Sequence, residues 1–216
     1  CLASAASKLL PSRGRRQGQR CIRDRQNSVA LYSSLEAETG QATGWKQTGS
    51  LSIATNPDRL THIRRQASLS LAFGIGAEEI SVSNAAEKWP LMRSDDLIGA
   101  VYSPSDGRVS PSDICAALIK GAKSQGLKVY EDTPVTGILT ENGRVAAVQT
   151  AQGEISCETV VNCAGIWGRS IATMVGAVAP LHACEHFYLL TELMDSVTAP
   201  LPTLSDHDGH LYLRDE

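Results

Sequence analysis

Aromatic residues make up only 5% of this 216-residue chain, too few for the stacked ring platforms that hold single-stranded nucleic acid. Neither sign of charge dominates. Twenty Lys and Arg face 23 Asp and Glu, a formal net charge of −3, which argues against a polyanion as the main partner. No apolar run approaches the roughly 20 residues that span a bilayer. Gly-x-Ser-x-Gly is absent, so serine-hydrolase chemistry has no support, and Walker-type phosphate loops are absent too. The six cysteines, Cys1, Cys21, Cys115, Cys157, Cys163 and Cys184, are scattered without a C-x-x-C pair. They read as reduced thiols and small buried hydrophobes in a reducing compartment.

What is there is ordinary globular composition, 42% hydrophobic and 20% charged, in a chain long enough for one generous domain or two small ones. The chain begins with Cys rather than Met, which points to a fragment, either a processed product or an incomplete reading frame. Residues 1–26 carry Lys8, Arg13, Arg15, Arg16, Arg20, Arg23 and Arg25 against the single acid Asp24. This Arg-rich, Ser- and Ala-containing leader has transit-peptide composition, though a solvated tail has the same one, and no apolar periodicity predicts a folded element there.

From Asn27 to Glu38 the apolar residues fall at helical spacing, and Thr39-Gly40 closes the segment. Gly44–Thr55 reads as a strand. Asn56-Pro57 caps a second helix with Leu60, Ile63, Ala67 and Leu71 on one face, ending at Phe73-Gly74. Gly74-Ile-Gly76 starts like a dinucleotide fingerprint but lacks the third glycine and follows a helix rather than a strand, so it is rejected. Asn84 to Glu87 has capping-box spacing for a short helix ended by Trp89-Pro90. A strand over 98–103, a turn at Pro104–Gly107, a helix capped by Ser110-Pro111 and a strand over 127–130 follow. Asn142-Gly143 between alternating segments predicts a hairpin, and 154–157 adds a third strand. Beyond it, 159–161 reads as a strand leading into the small-residue turn Cys163-Ala164-Gly165 and a helix over 166–175. On these residues alone, an ordinary strand-to-helix connection fits as well as a nucleotide turn. A strand over 183–191, a loop over 195–209 and a last strand over 210–214 complete the expectation.

Along the 183–191 strand, His182, Cys184, His186 and Tyr188 would share one face. A zinc site from the first three fails, because same-face neighbours on a strand point in parallel and no fourth ligand is evident; no metal is expected. A face of satisfied polar groups and an active-site wall both remain open, the latter placing a phenol and an imidazole beside a reacting amine or carboxylate. His207, Asp208 and His210 read as solvated loop residues.

Taken together, Asp106-Gly107-Arg-Val-Ser-Pro111, Lys128 to Ile138, the meander, Val160-Val-Asn-Cys-Ala-Gly165-Ile-Trp167 and Glu185 to Glu192 resemble the FAD-dependent amine oxidoreductases of the D-amino-acid-oxidase superfamily. Within it the likeness is to sarcosine and dimethylglycine dehydrogenases and the related regulatory subunit of pyruvate dehydrogenase phosphatase. It covers about residues 28–216. The resemblance implies a mixed α/β fold, an incomplete Rossmann-like FAD domain joined to an antiparallel-sheet substrate-binding domain. By it, residues 1–26 are a leader, 27–105 mainly substrate-binding, 106–176 the remaining FAD domain, and 177–216 a return to the substrate-binding domain. It implies that Pro134 and Val135 meet the adenine side of FAD, and that Cys163, Ala164, Gly165 and Trp167 form a second flavin-contacting motif where small residues admit the cofactor. It matches Tyr188, with His186 beside it, to the active-site tyrosine. The implied substrate is an N-methylated glycine, with an electron acceptor and tetrahydrofolate as further partners and the mitochondrial matrix, or otherwise the cytoplasm, as the compartment. Three family features are missing from these residues: the glycine-rich pyrophosphate turn, the histidine that tethers FAD in a Trp-His-Ala-Ala-Gly setting, and the folate domain. A non-catalytic regulator and a decayed reading frame are the competing readings, and the FAD site is expected to be only half present.

Overall fold

The structure is a computed structural model that describes residues 17–197 and 200–215, with side chains from Gln26 onward. Its elements in chain order are α1 (Gln17–Thr39), β1 (Ser50–Ala54), α2 (Pro57–Ala72), β2 (Glu78–Ile80), α3 (Val82–Lys88), β3 (Gly99–Ser103), α4 (Pro111–Ser124), β4 (Val135–Glu141), β5 (Arg144–Thr150), β6 (Gly153–Ser156), a 3₁₀ turn over Gly165–Trp167, α5 (Gly168–Thr173), β7 (Thr203–Asp206) and β8 (Leu211–Leu213). The chain divides into two compact units, Ala122–Leu190 and the described residues of Leu10–Gly121 with Thr191–Glu216.

In the larger unit a five-stranded sheet runs β2-β3-β1-β7-β8. Only β1 and β7 pair in parallel; the other neighbours are antiparallel. The two-residue period of β1 sends Leu51 and Ile53 to one face, where they join Ala85, Trp89, Leu97, Ala100 and Leu204. Trp89 can be buried there because its indole N–H donates to the Pro202 carbonyl at 2.6 Å. Ala54 and Val101 face the other way, under Leu60, Ile63 and Ala67 of α2. Gly99 lets that helix close in, since a Cβ there would sit 2.7 Å from Leu60 Cδ1. Both faces are therefore covered.

α2 starts as its sequence predicts: the Asn56 side chain accepts the Arg59 N–H at 2.9 Å, and Pro57 occupies the first turn. Gly74, at φ +75, follows the helix in the left-handed region and links it to β2, so Gly74-Ile-Gly76 is helix-terminating chemistry. Of the four apolar positions on α2, Leu71 departs and is exposed. The N-cap of α3 is Ser81, whose hydroxyl accepts the Asn84 N–H, rather than Asn84 itself. α1 begins at Gln17, ten residues before the periodicity suggested and inside the basic stretch expected to lack structure, a stretch rich in Arg and Gln that favour helix without an apolar stripe. The rest of that leader, 1–16, lies outside the described residues.

The corner where β1 begins is held by close backbone approach. Lys46 and Arg108 exchange backbone hydrogen bonds at 2.9 Å, the Gly49 N–H donates to the Asp106 carbonyl, and the Ser50 hydroxyl donates to the Asp106 carboxylate at 2.5 Å. A Cβ on Gly107 would strike the Lys46 carbonyl and lie 2.7 Å from the Trp45 ring. Gly107→Ala is therefore expected to destabilise this unit by about 1–3 kcal/mol, the usual cost of overpacking, read as a lowered thermal midpoint with unchanged secondary structure.

In the smaller unit β4, β5 and β6 form an antiparallel meander. Asn142 and Gly143, at φ +49 and +75, close its first hairpin as predicted. The strands expected over 127–130, 159–161 and 183–191 are not formed. A strand exists only through a hydrogen-bonded neighbour, and among the described residues none pairs with these segments. Conversely β7 lies inside the expected 195–209 loop, recruited because Thr203 and Leu204 find β1 beside them.

Candidate functional site

The turn expected to meet a cofactor is built by one side chain. Asn162 accepts the Ala164 N–H at 3.2 Å on its Oδ1 and donates from Nδ2 to the Gly168 carbonyl at 2.8 Å, bracketing the residues between. Gly165 sits at φ +54, where a Cβ would be strained although it would meet nothing within 4 Å. The Trp167 N–H donates back to the Ala164 carbonyl, starting the 3₁₀ turn that leads into α5. Cys163 and Gly165 are exposed, Ala164 is half-buried and Trp167 is 68% exposed. An open backbone turn of small residues with an indole at its rim is a surface that a flat ring system or an extended cofactor can approach. Asn162 was not singled out from sequence, although an Asx residue two positions before a turn residue is a known local hydrogen-bonding pattern.

Pro134 is exposed and Val135 half-buried, opening β4 at the end of the meander, with Val135 opposite Thr150. No hydrogen bond among the described residues joins them to 163–167. Tyr188 is 83% exposed and His186 is exposed as well. Because 183–191 carries no strand, the alternation that would aim His182, Cys184, His186 and Tyr188 from one face is not realised. Among the described residues no group of three His, Cys, Asp or Glu could hold a metal ion.

Asp208, expected to be merely solvated, is instead a tied group. Its carboxylate accepts Arg59 Nη2 at 2.6 Å, Arg59 Nε at 3.1 Å and Asn56 Nδ2 at 2.7 Å, pinning the β7–β8 loop to the start of α2. The hydrogen bond from Arg59 holds the Asp208 carboxyl below its ordinary value, and the same bond raises Arg59. An open groove lies along α2, lined by Thr61, Arg64, Arg65, Ser68, Leu69 and Ala72; it includes none of the expected site residues.

Comparison with known proteins places these features. The family model described as FAD dependent oxidoreductase (DAO) matches residues 3–216. Pyruvate dehydrogenase phosphatase regulatory subunit, mitochondrial, of Mus musculus is 42% identical over 190 residues, 87% of this chain and 22% of that protein. Mouse mitochondrial sarcosine dehydrogenase is 41% identical over 185 residues, 83% of this chain and 20% of its own length. Rat mitochondrial dimethylglycine dehydrogenase is 33% identical over 193 residues, 88% and 22%. The chain thus spans about a fifth of the length of these three relatives. Among solved structures, L-proline dehydrogenase from P. horikoshii superposes with a TM-score of 0.75 at 27% identity, over 88% of this chain and 51% of that one. The family match runs over nearly every residue: the chain belongs to the DAO family of FAD-dependent oxidoreductases.

Proposed function

We propose that this chain is part of an FAD-dependent oxidoreductase that oxidises an N-methylated glycine, sarcosine or dimethylglycine, and that it is inactive at this length. The observation that carries the reading is the 41% identity to mouse sarcosine dehydrogenase over 83% of the chain, a stretch long enough to carry the candidate turn. FAD fits the open side of Cys163–Trp167, where Gly165 leaves space and the Trp167 ring stands clear of the protein. When bound, the flavin supplies the redox chemistry by accepting a hydride equivalent from the N-methyl carbon. Cys163, Ala164, Gly165 and Trp167 would hold its ring side and Pro134 and Val135 its adenine side. Tyr188 would orient the substrate through its phenol O–H, and His186 would hold or release a proton at the amine. The methylated amine, an electron acceptor and tetrahydrofolate are the proposed partners, and the mitochondrial matrix the proposed compartment, in keeping with relatives whose names include the word mitochondrial.

The test is a transplant. The matched stretch of mouse sarcosine dehydrogenase is replaced by the corresponding residues of this chain, and reduction of the flavin by sarcosine and by dimethylglycine is followed. Turnover is expected, and Tyr188→Phe in the transplant is expected to lower kcat by at least about tenfold, toward the general acid–base range. The 42% identity to the phosphatase regulatory subunit favours a second reading, a non-catalytic regulator. A transplant with a native flavin spectrum that neither amine bleaches would overturn the first reading and is the outcome the second expects.

A further inference from the structure

Asn162 accepts the Ala164 N–H at 3.2 Å on Oδ1 and donates from Nδ2 to the Gly168 carbonyl at 2.8 Å, so one side chain joins the entry of the turn to the start of α5. The backbone around it offers no substitute. Among the described residues no backbone hydrogen bond involves 158–163, and the strand expected over 159–161 is not formed. Gly168 is buried, and a Cβ on it would lie 3.1 Å from Leu181 Cδ1 and 3.6 Å from Asn162 Oδ1. Asn162 and Leu181 thus close on the same glycine. These contacts are internal to the chain and do not depend on what covers its surface.

Between the two bonds lies Gly165 at φ +54. A glycine reaches that conformation freely, but it populates others about as readily. A turn free to leave its shape presents the cofactor-facing backbone only part of the time, and apparent affinity falls by that fraction. We propose that Asn162 is a positioning residue for flavin: its paired hydrogen bonds hold Ala164–Trp167 in the receiving shape before the cofactor arrives. The proposal rests on the reading of Cys163–Trp167 as the ring side of the FAD site. It assigns part of that site's affinity to a side chain whose polar atoms are engaged within the turn.

The sarcosine dehydrogenase transplant, prepared free of flavin, is titrated with FAD and followed by flavin absorbance and fluorescence. Asn162→Ala removes both bonds and is expected to raise the FAD concentration at half-saturation about tenfold or more, the equivalent of two hydrogen bonds of ordinary net strength. The circular dichroism and thermal midpoint of the flavin-free protein are expected to stay unchanged. Asn162→Ser keeps a short acceptor for the Ala164 N–H and lacks the amide donor that reaches Gly168, so an intermediate loss is expected. Equal half-saturation in the parent and Asn162→Ala overturns the proposal. So does a fall in the flavin-free midpoint that parallels the loss of binding, or an Asn162→Ser variant no better than Asn162→Ala. The parent transplant separates this outcome from the functional reading. Flavin bound but bleached by neither amine defeats the substrate assignment and leaves the titration to decide Asn162, whereas a parent that takes up no FAD defeats the site reading and the proposal with it.

Discussion

Purified from a flavin-replete host, the 216-residue chain is expected to carry no stoichiometric flavin absorbance. The open turn at Cys163–Trp167 offers surface to one part of the cofactor, but a dinucleotide is anchored through its pyrophosphate, by backbone N–H groups and the positive end of a helix reached through a glycine-rich turn. Among the described residues no such strand, turn and helix occurs in succession. Gly74-Ile-Gly76, the one partial match, follows α2 and enters β2. A hydrogen bond to a charged group contributes about 1.5–3 kcal/mol. Two missing phosphate contacts would therefore weaken binding by roughly two to four orders of magnitude. Equilibrium dialysis against FAD, read by absorbance, measures this. Flavin retained at one per chain would show that the pyrophosphate is held by residues not identified here.

The second large effect concerns Arg108 and Asp215. Their side chains are 10% and 13% exposed, and Arg108 Nη2 meets Asp215 Oδ2 at 2.5 Å. Among the described residues the pair is incompletely satisfied: Arg108 Nε and Asp215 Oδ1 are buried without a hydrogen-bond partner, and so is the Thr48 hydroxyl. Such a pair contributes little net stability, because desolvation offsets the attraction, yet deleting one member strands the other charge in the interior. Arg108→Met alone is expected to cost about 3–5 kcal/mol, lowering the thermal midpoint by roughly 6–20 °C for a domain of this size. Arg108→Met with Asp215→Leu is expected to recover most of that loss. Additive losses in the double variant would mean the two side chains do not act as a pair.

The pair also shows what kind of information was missing from the chain read as text. Nothing in the spacing of Arg108 and Asp215, 107 residues apart, signals that they meet. They meet because Leu204 pairs with Leu213 and Ser50 with Thr203, which brings the end of β8 back to the corner where β1 begins. The same pairing explains β7. Thr203 and Leu204 sit between prolines and an acidic loop and give no strand signal, and they become a strand only because β1 offers a free edge. Asp208 is similar: it looks like one acid in a polar loop until the sheet carries that loop to Asn56 and Arg59.

Local chemistry, by contrast, was legible. The Asn56-Pro57 start of α2, the glycine after it and the Asn142-Gly143 hairpin depend on φ, ψ and hydrogen bonds within a few residues, so their residues specify them directly. Ser81 displaced Asn84 as a cap because two neighbouring polar residues can serve and only packing of Ala85 and Trp89 decides where the helix begins. The family, too, was legible, as a set of motifs in order. The misplaced elements share one cause. Residues 127–130, 159–161 and 183–191 have the composition of strands, and composition is all that a sequence states about a strand. The turn at Cys163–Trp167 was set by its own residues, with Asn162 as the local tie. Whether Tyr188 and His186 stand beside it as a wall depends on a backbone neighbour for 183–191, and pairing of that kind belongs to the tertiary structure alone.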